Sequence, residues 1–258
     1  MCSQTRRPKV TSPVVTVPGL LARLLPTFDH DAREHLARTA SLCHVHHGEI
    51  LVHAGEVTPT LGHLIEGTLG MVRAMPQGKP QLMGLLLPGD VFGQIFDGPM
   101  PHAIQALTDA VVLSIDRQDY EAALGSMPMA EQALIVSMID DLDAARAWIL
   151  ILSSARAVER VAAFLEILVQ RQHVPGSANP TASVTLRLPL GRKDLARCLG
   201  IRPESLSRAI HSLANDGIIE IVTVDIFRIP DPAALVAASA GAFEIAERPK
   251  EHQGAKAY

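Results

Sequence analysis

The chain is 258 residues long, 48% hydrophobic, and carries a formal net charge of −4, which is ample for one large domain or two ordinary ones. Nine aromatic residues leave the core to Leu, Ile, Val, Ala and Met, and no apolar run is long enough to cross a bilayer, which argues against a membrane partner. Three cysteines at wide, irregular spacing (Cys2, Cys43 and Cys198) exclude a disulfide framework and a zinc motif, and fit a cytoplasmic location.

Residues 1–18 begin with Arg6, Arg7 and Lys9, which imitate an export signal, but Pro13 and Pro18 interrupt the segment and no small-residue cleavage site follows an apolar stretch. The expectation is a disordered leader. Residues 19–128 are predicted to form an N-terminal domain. A short helix or two covers roughly 19–42, marked by Leu20, Leu21, Leu24, Leu25 and Leu36. The texture then changes to short apolar runs (Ile50–Val52, Gly62–Ile65, Gly70–Val72, Gln81–Leu87 and Val111–Ile115) separated by Gly, Pro and Asp. Short strands at close intervals predict an all-β sandwich or roll, with Pro76-Gln77-Gly78 as a hairpin tip.

Residues 129–153 switch to helical period. Ile135, Met138, Leu142, Ala145, Ile149 and Leu152 step alternately by three and four, the spacing of a coiled-coil seam. Leu134 and Trp148 lie on another face. A helix packed only on its own domain needs one apolar stripe; two stripes predict two partners, the β-roll and a twin helix, and hence a homodimer.

Residues 154–240 are predicted to form a winged helix-turn-helix, followed by a flexible tail over 241–258. Val158, Val161, Leu165 and Leu168 mark a helix, and His173 to Pro180 a loop. In the next helix Leu195, Ala196, Cys198 and Leu199 face inward; Gly200 ends it, and Ile201 packs in the turn. Pro203 opens a second helix, where its missing N–H is no loss, and Leu206, Ile210 and Leu213 are its buried side. Strand-like Ile218–Thr223 and Ile226–Ile229 follow as the expected wing. Glu204, Ser207 and Arg208 share the polar side of the second helix, near the end that enters a major groove. Arg208 matches guanine O6 and N7, Glu204 matches an exocyclic amine, and Ser207 makes a small contact. Outside this setting, Glu204 and Arg208 would read as an exposed ion pair worth about 0.3–0.5 kcal/mol. Arg192, Lys193 and Arg202 are the candidate phosphate contacts. Arg187 to Arg228 holds seven Lys/Arg against five Asp/Glu, a local excess that permits contact with double-stranded DNA.

The chain resembles the Crp/Fnr superfamily from about residue 20 to 240, on Gly48-Glu49-Ile50-Leu51, Gly84 to Asp90, Leu142 to Arg146, Glu159 to Phe164, Leu188-Pro189-Leu190 and Glu204-x-x-Ser207-Arg208. Gly84 to Asp90 and Glu159 to Phe164 are similar to the FnrL group, and the missing cysteines make the chain CrpK-like. The resemblance implies an α+β protein: a cyclic-nucleotide-binding-domain-like jelly roll, a long dimerisation helix and a C-terminal winged helix-turn-helix. It implies a non-enzymatic regulator, an activator, that binds TTGA-type inverted repeats and contacts RNA polymerase. Fnr and FnrL hold a [4Fe–4S] cluster on four cysteines; three unclustered ones cannot supply those ligands. Cyclic-nucleotide-binding relatives grip ribose and phosphate with a Glu and an Arg. Here Gly89 to Thr108 has no Lys or Arg, and Gln94 stands about where the acid would be, so cyclic AMP is not expected. Arg202 replaces the family's usual capping Ser or Thr.

The expected cofactor is therefore none. The alternative is haem- or metal-dependent sensing, of nitric oxide for example, through His44, His46 and His53, with His44 and His46 on one strand face and His53 on a neighbouring strand. A cupin-like enzyme would also use a β-roll and paired histidines, but Glu49 lies too close to His46 and the downstream half of that motif is missing. Cys43 or Cys2 is a candidate redox switch, and Cys198 is assigned to packing.

Overall fold

A computed structural model describes residues 17–74, 81–95, 98–154, 156–172 and 183–239. Most of the expected leader, the 241–258 tail, the Pro76–Gly78 tip, the His173–Pro180 loop and Cys2 lie outside these residues; Val17 and Pro18 are the first residues of a helix. The chain divides into two compact units, one drawn from Met1–Trp148 and Leu188–Pro203, the other from Ile149–Arg187 and Glu204–Tyr258.

The first unit opens with α1 (Val17–Leu24) and α2 (His30–Thr39), the latter capped by Asp29, whose carboxylate accepts the Ala32 N–H at 2.8 Å. Eight strands follow: β1 (Ser41–Val45), β2 (Ile50–Val52), β3 (Thr60–Glu66), β4 (Leu69–Arg73), β5 (Gln81–Leu86), β6 (Val91–Phe92), β7 (Ala103–Ala106) and β8 (Ala110–Asp116). They form two four-stranded sheets, in the orders β1-β8-β3-β6 and β2-β7-β4-β5, with every pairing antiparallel. This is the all-β roll that the texture of 43–116 predicts, in the jelly-roll form that the resemblance implies.

Alternation along the central strand β8 explains the layering. Ala110 and Val112 join Val45, Leu64, Leu69 and Ile104 between the sheets, while Leu113 and Ile115 take the opposite face. That second face is apolar because helices cover it. Leu20, Leu21 and Leu36 of α1 and α2, and Tyr120 and Leu124 of α3 (Arg117–Gly125), pack there against Leu61, Leu113 and Ile115. Gly67 joins β3 to β4 at φ +89°, where a Cβ would collide with the Asp109 carbonyl.

The long helix α4 (Pro128–Ser153) buries Ala130 and packs Leu134 into the helix-covered cluster. Helix α4 belongs to the first unit as far as Trp148 and to the second from Ile149, and α6 (Arg192–Cys198) lies in the first. Just before it, the Pro189 carbonyl accepts a 2.7 Å hydrogen bond from the buried hydroxyl of Thr68.

The second unit contains α5 (Ala157–Gln172), β9 (Val184–Arg187), α7 (Pro203–Asn215), β10 (Glu220–Ile221), β11 (Ile226–Ile229) and α8 (Pro232–Ala238). Its antiparallel sheet has the order β10-β11-β9, so the sequence-predicted wing is a true hairpin. Helix α5 packs on α8. Glu166 of α5 is buried there, and its carboxylate accepts a 2.8 Å bond from Ser239. Burial raises its pKa, and the Ser239 bond opposes that shift.

Candidate nucleic-acid interface

The turn expected at Gly200 is present. Helix α6 ends at Cys198; the Leu199 N–H donates to the Leu195 carbonyl at 2.9 Å and the Ile201 N–H to the Ala196 carbonyl at 3.0 Å. Gly200 sits between them at φ +63°, the left-handed conformation that closes a helix. Leu195, Ala196, Cys198 and Leu199 are buried as the sequence requires. Burial pushes the Cys198 thiol up to about 12, with the Asp194 charge adding to it, so this side chain packs and does not react.

Helix α7 separates cleanly into two faces. Leu206, Ala209, Ile210 and Leu213 are buried, whereas Glu204, Arg208, His211 and Asn215 are exposed and Ser207 is half-buried at the rim. The three candidate base-reading residues are thus brought to one side of the helix. Among the described residues the Glu204–Arg208 ion pair does not form. Arg208 Nε instead donates to the Glu204 backbone carbonyl at a long 3.4 Å, a weak competitor for another acceptor. Of the candidate phosphate contacts, Arg192 is half-buried in the first turn of α6, and Lys193 and Arg202 are exposed. These three belong to the first unit and the base-reading set to the second.

The wing disposes of its charges internally. Arg187 Nε donates to Asp225 at 2.9 Å, Thr223 donates to the same carboxylate at 2.7 Å, and Arg228 pairs with Glu220. The Thr223 bond first, and Arg187 second, hold the Asp225 carboxyl below the usual carboxylate range. At the tip, Val222 and Val224 are exposed.

Val136, Ile139 and Leu150 of α4 are exposed alongside the candidate seam residues. Ile135, Met138, Leu142, Ala145, Ile149 and Leu152 are all exposed in the protomer, with Ile149 at 66% and Ile135 at 58%. Leu134 is covered on the other stripe and Trp148 is half-buried.

The histidine arrangement needs correction. Strand β1 stops at Val45, so His46 does not share a strand face with His44. The chain turns at once: the Glu49 N–H donates to the His46 carbonyl at 3.0 Å and Gly48 takes φ +86°. His53 follows β2 in the other sheet, where its N–H donates to the Glu56 carboxylate. Among the described residues no three His, Cys, Asp or Glu side chains assemble as metal ligands. Cys43 is half-buried on β1.

Three features escaped the sequence reading. His63 on β3 is only 3% exposed, neither ring nitrogen has a partner among the described residues, and burial lowers its pKa to about 4. A cavity of about 140 Å³ in the roll is lined by Met71, Leu86, Phe92, Met100, Gln94 and His102, among others. Its described lining contains no Lys or Arg, and burial lowers the His102 pKa, so a cyclic nucleotide phosphate would find no cation among those residues. His211 occupies the exposed face of α7. Its signal was its spacing, three beyond Arg208 and four beyond Ser207.

Comparison with known proteins agrees with this architecture. Residues 42–126 match the cyclic nucleotide-binding domain family and residues 159–238 the Crp-like helix-turn-helix domain. The chain is 30% identical over 207 residues to the nitrogen fixation regulation protein FixK of Bradyrhizobium diazoefficiens, covering 80% of this chain and 84% of that one. It is 29% identical over 174 residues to the transcriptional activator protein FnrL of Cereibacter sphaeroides, covering 67% and 70%. Among solved structures, FixK2 from Bradyrhizobium japonicum superposes with a TM-score of 0.66 at 26% identity, covering 77% of this chain and 96% of that one.

Proposed function

This chain belongs to the Crp/Fnr family of transcription regulators, and from that premise we propose that it works as a homodimer reading a TTGA-type inverted repeat. It has a helix-turn-helix DNA-binding domain and is a regulator, not an enzyme. One observation carries the finer reading: the face of α7 that holds Glu204, Ser207 and Arg208 is turned away from the apolar side, with Arg208 outside any ion pair among the described residues. A guanidinium so placed offers two parallel donors to guanine O6 and N7, and Glu204 offers an acceptor to a neighbouring amine. Arg192, Lys193 and Arg202 supply phosphate contacts that hold the register.

The exposed seam of α4 supplies the dimer, and two α7 helices then meet two half-sites about one helical turn apart. The names of FnrL and of other activator relatives support activation, and contact with RNA polymerase in the cytoplasm is part of the same proposal. The reading assigns no iron–sulfur cluster, no haem and no cyclic nucleotide. In support, Cys198 is sealed in packing, His44, His46 and His53 are dispersed, and the described lining of the roll cavity lacks a cation.

The test is a binding titration, in air and without oxygen, on a duplex carrying TTGAT-N4-ATCAA, with a scrambled duplex as control and an absorption spectrum of the same sample. Specific binding by colourless protein in both atmospheres is expected. Equal affinity for the scrambled duplex overturns the operator assignment, and binding that requires a chromophore or an additive overturns the effector-free reading.

A further inference from the structure

We propose that His211 is a fourth base-contacting side chain of α7, extending the sequence read by each protomer beyond the base pair met by Arg208. The inference rests on the reading of α7 as the groove helix. The exposed side of that helix is longer than the Glu204–Arg208 pair. Glu204, Arg208, His211 and Asn215 follow at steps of four, three and four, which keep to one line along a helix of 3.6 residues per turn. The buried residues Leu206, Ala209, Ile210 and Leu213 define the opposite side.

Glu204, Ser207, Arg208 and His211 stand at i, i+3, i+4 and i+7. The four groove-reading positions of a homeodomain helix have that spacing, so a helix lying along a major groove can bring its i+7 side chain to base edges. His211 lies seven residues beyond Glu204, about 10.5 Å along the axis and roughly three base-pair steps of 3.4 Å. It therefore meets a different pair from the one read by Glu204. Its imidazole has no hydrogen-bond or ion-pair partner among the described residues, and it offers a ring N–H to a purine N7 or to O6 of guanine. A solvated lysine or glutamate would serve an idle helix face equally well; an imidazole aligned with three base-matched side chains adds a short, directional donor.

The experiment is a competition titration of the full chain, as wild type, His211→Ala and Arg208→Ala. It uses the TTGAT-N4-ATCAA duplex and every single base-pair substitution through one half-site and its two flanking pairs. His211 is exposed, so the alanine variant keeps its fold, and a matching thermal unfolding midpoint verifies it. The expected result is that His211→Ala erases an approximately fivefold or larger preference at one base pair, different from the pair whose preference Arg208→Ala erases. An equal loss on all duplexes, with a shallower salt dependence, makes His211 a phosphate contact and overturns the proposal. So does an unchanged preference profile while the Arg208 position still discriminates, and in that case the reading of α7 survives. A wild-type profile with no preference at any position overturns that reading and this inference together.

Discussion

Helices α4 and α7 lie in one chain and obey opposite rules. Over 26 residues α4 leaves Ile135, Met138, Leu142 and Ile149 at least half exposed, after it has already covered Ala130 and Leu134. Over 13 residues α7 buries its whole apolar stripe and shows water only polar side chains and the cyclic Pro203. The difference matches the partner proposed for each surface. Apolar side chains left in water gain about 25 cal/mol for each Å² removed from it, in any direction, and a second apolar stripe satisfies them. Donors and acceptors gain nothing from mere burial and require matched groups at fixed angles, which base edges provide.

The largest expected effect comes from breaking the α4 side. Leu142→Glu puts a charge in the middle of the seam and should convert the dimer to a monomer by sedimentation, with operator affinity falling by about 100-fold or more as one half-site is lost. A dimer that persists in this variant would falsify the seam. Leu134→Glu, one stripe away, should instead unfold the first unit, because Leu134 packs in the cluster under α1, α2 and α3.

That covered stripe also gives a pH signature that the exposed seam lacks. His63 lies two residues from Leu61 and pairs in register with Leu113, both members of the cluster that holds Ala130 and Leu134. Its pKa is about 4 in the fold against 6.5 for the free side chain, so between those values the unfolded chain binds the extra proton. The stability from keeping His63 neutral is complete above the free value and is lost as pH falls toward the folded one. From pH 8 to pH 5 the loss is about 2 kcal/mol. Denaturant unfolding at the two pH values should show this slope in the wild type and a flatter one in His63→Leu; identical slopes would remove His63 from the account.

On the α7 side, Arg208→Ala should cost about 1–3 kcal/mol in operator binding and relax specificity at one base pair. Competition between the operator and its single-pair variants checks this, and retained discrimination at every pair would sink base reading by Arg208. The same change should leave sedimentation untouched, just as Leu142→Glu should leave the α7 face intact, so the two helices can be disabled separately.

Much of this contrast was legible in the sequence because both helices advertise themselves by local periodicity. The jelly roll was legible for a similar reason: Gly, Pro and Asp punctuate its runs. Two of the missed features, His63 and the roll cavity, depend on geometry that no local pattern encodes. His44-x-His46 alternates as a strand should, yet the hydrogen bond closing the His46–Glu49 turn ends β1 one residue earlier. His63 stands within the apolar run Gly62–Ile65, but its burial follows from helices that are distant in sequence. The association of Leu188–Pro203 with the roll rests on contacts such as Thr68 to Pro189, 121 residues apart. His211 was visible at helical spacing, and was missed only because the first polar turn already held a plausible reading set.

The smallest expected effect sharpens the α7 side by separating matched geometry from plain positive charge. Lys193 is exposed on α6, and an ammonium on a flexible stem meets a phosphate as a point charge. Lys193→Ala should therefore weaken operator and scrambled duplexes alike and reduce the slope of log affinity against log salt by about 0.9 per protomer. Arg208→Ala should do the reverse, changing the ratio between sequences more than the salt slope. Titrations of both variants at several salt concentrations check the pair of outcomes. If Lys193→Ala alters the sequence ratio while Arg208→Ala alters only the slope, the roles assigned to the two side chains must be exchanged. The face of α7 would then be an electrostatic surface, and its contrast with α4 would reduce to charged against apolar.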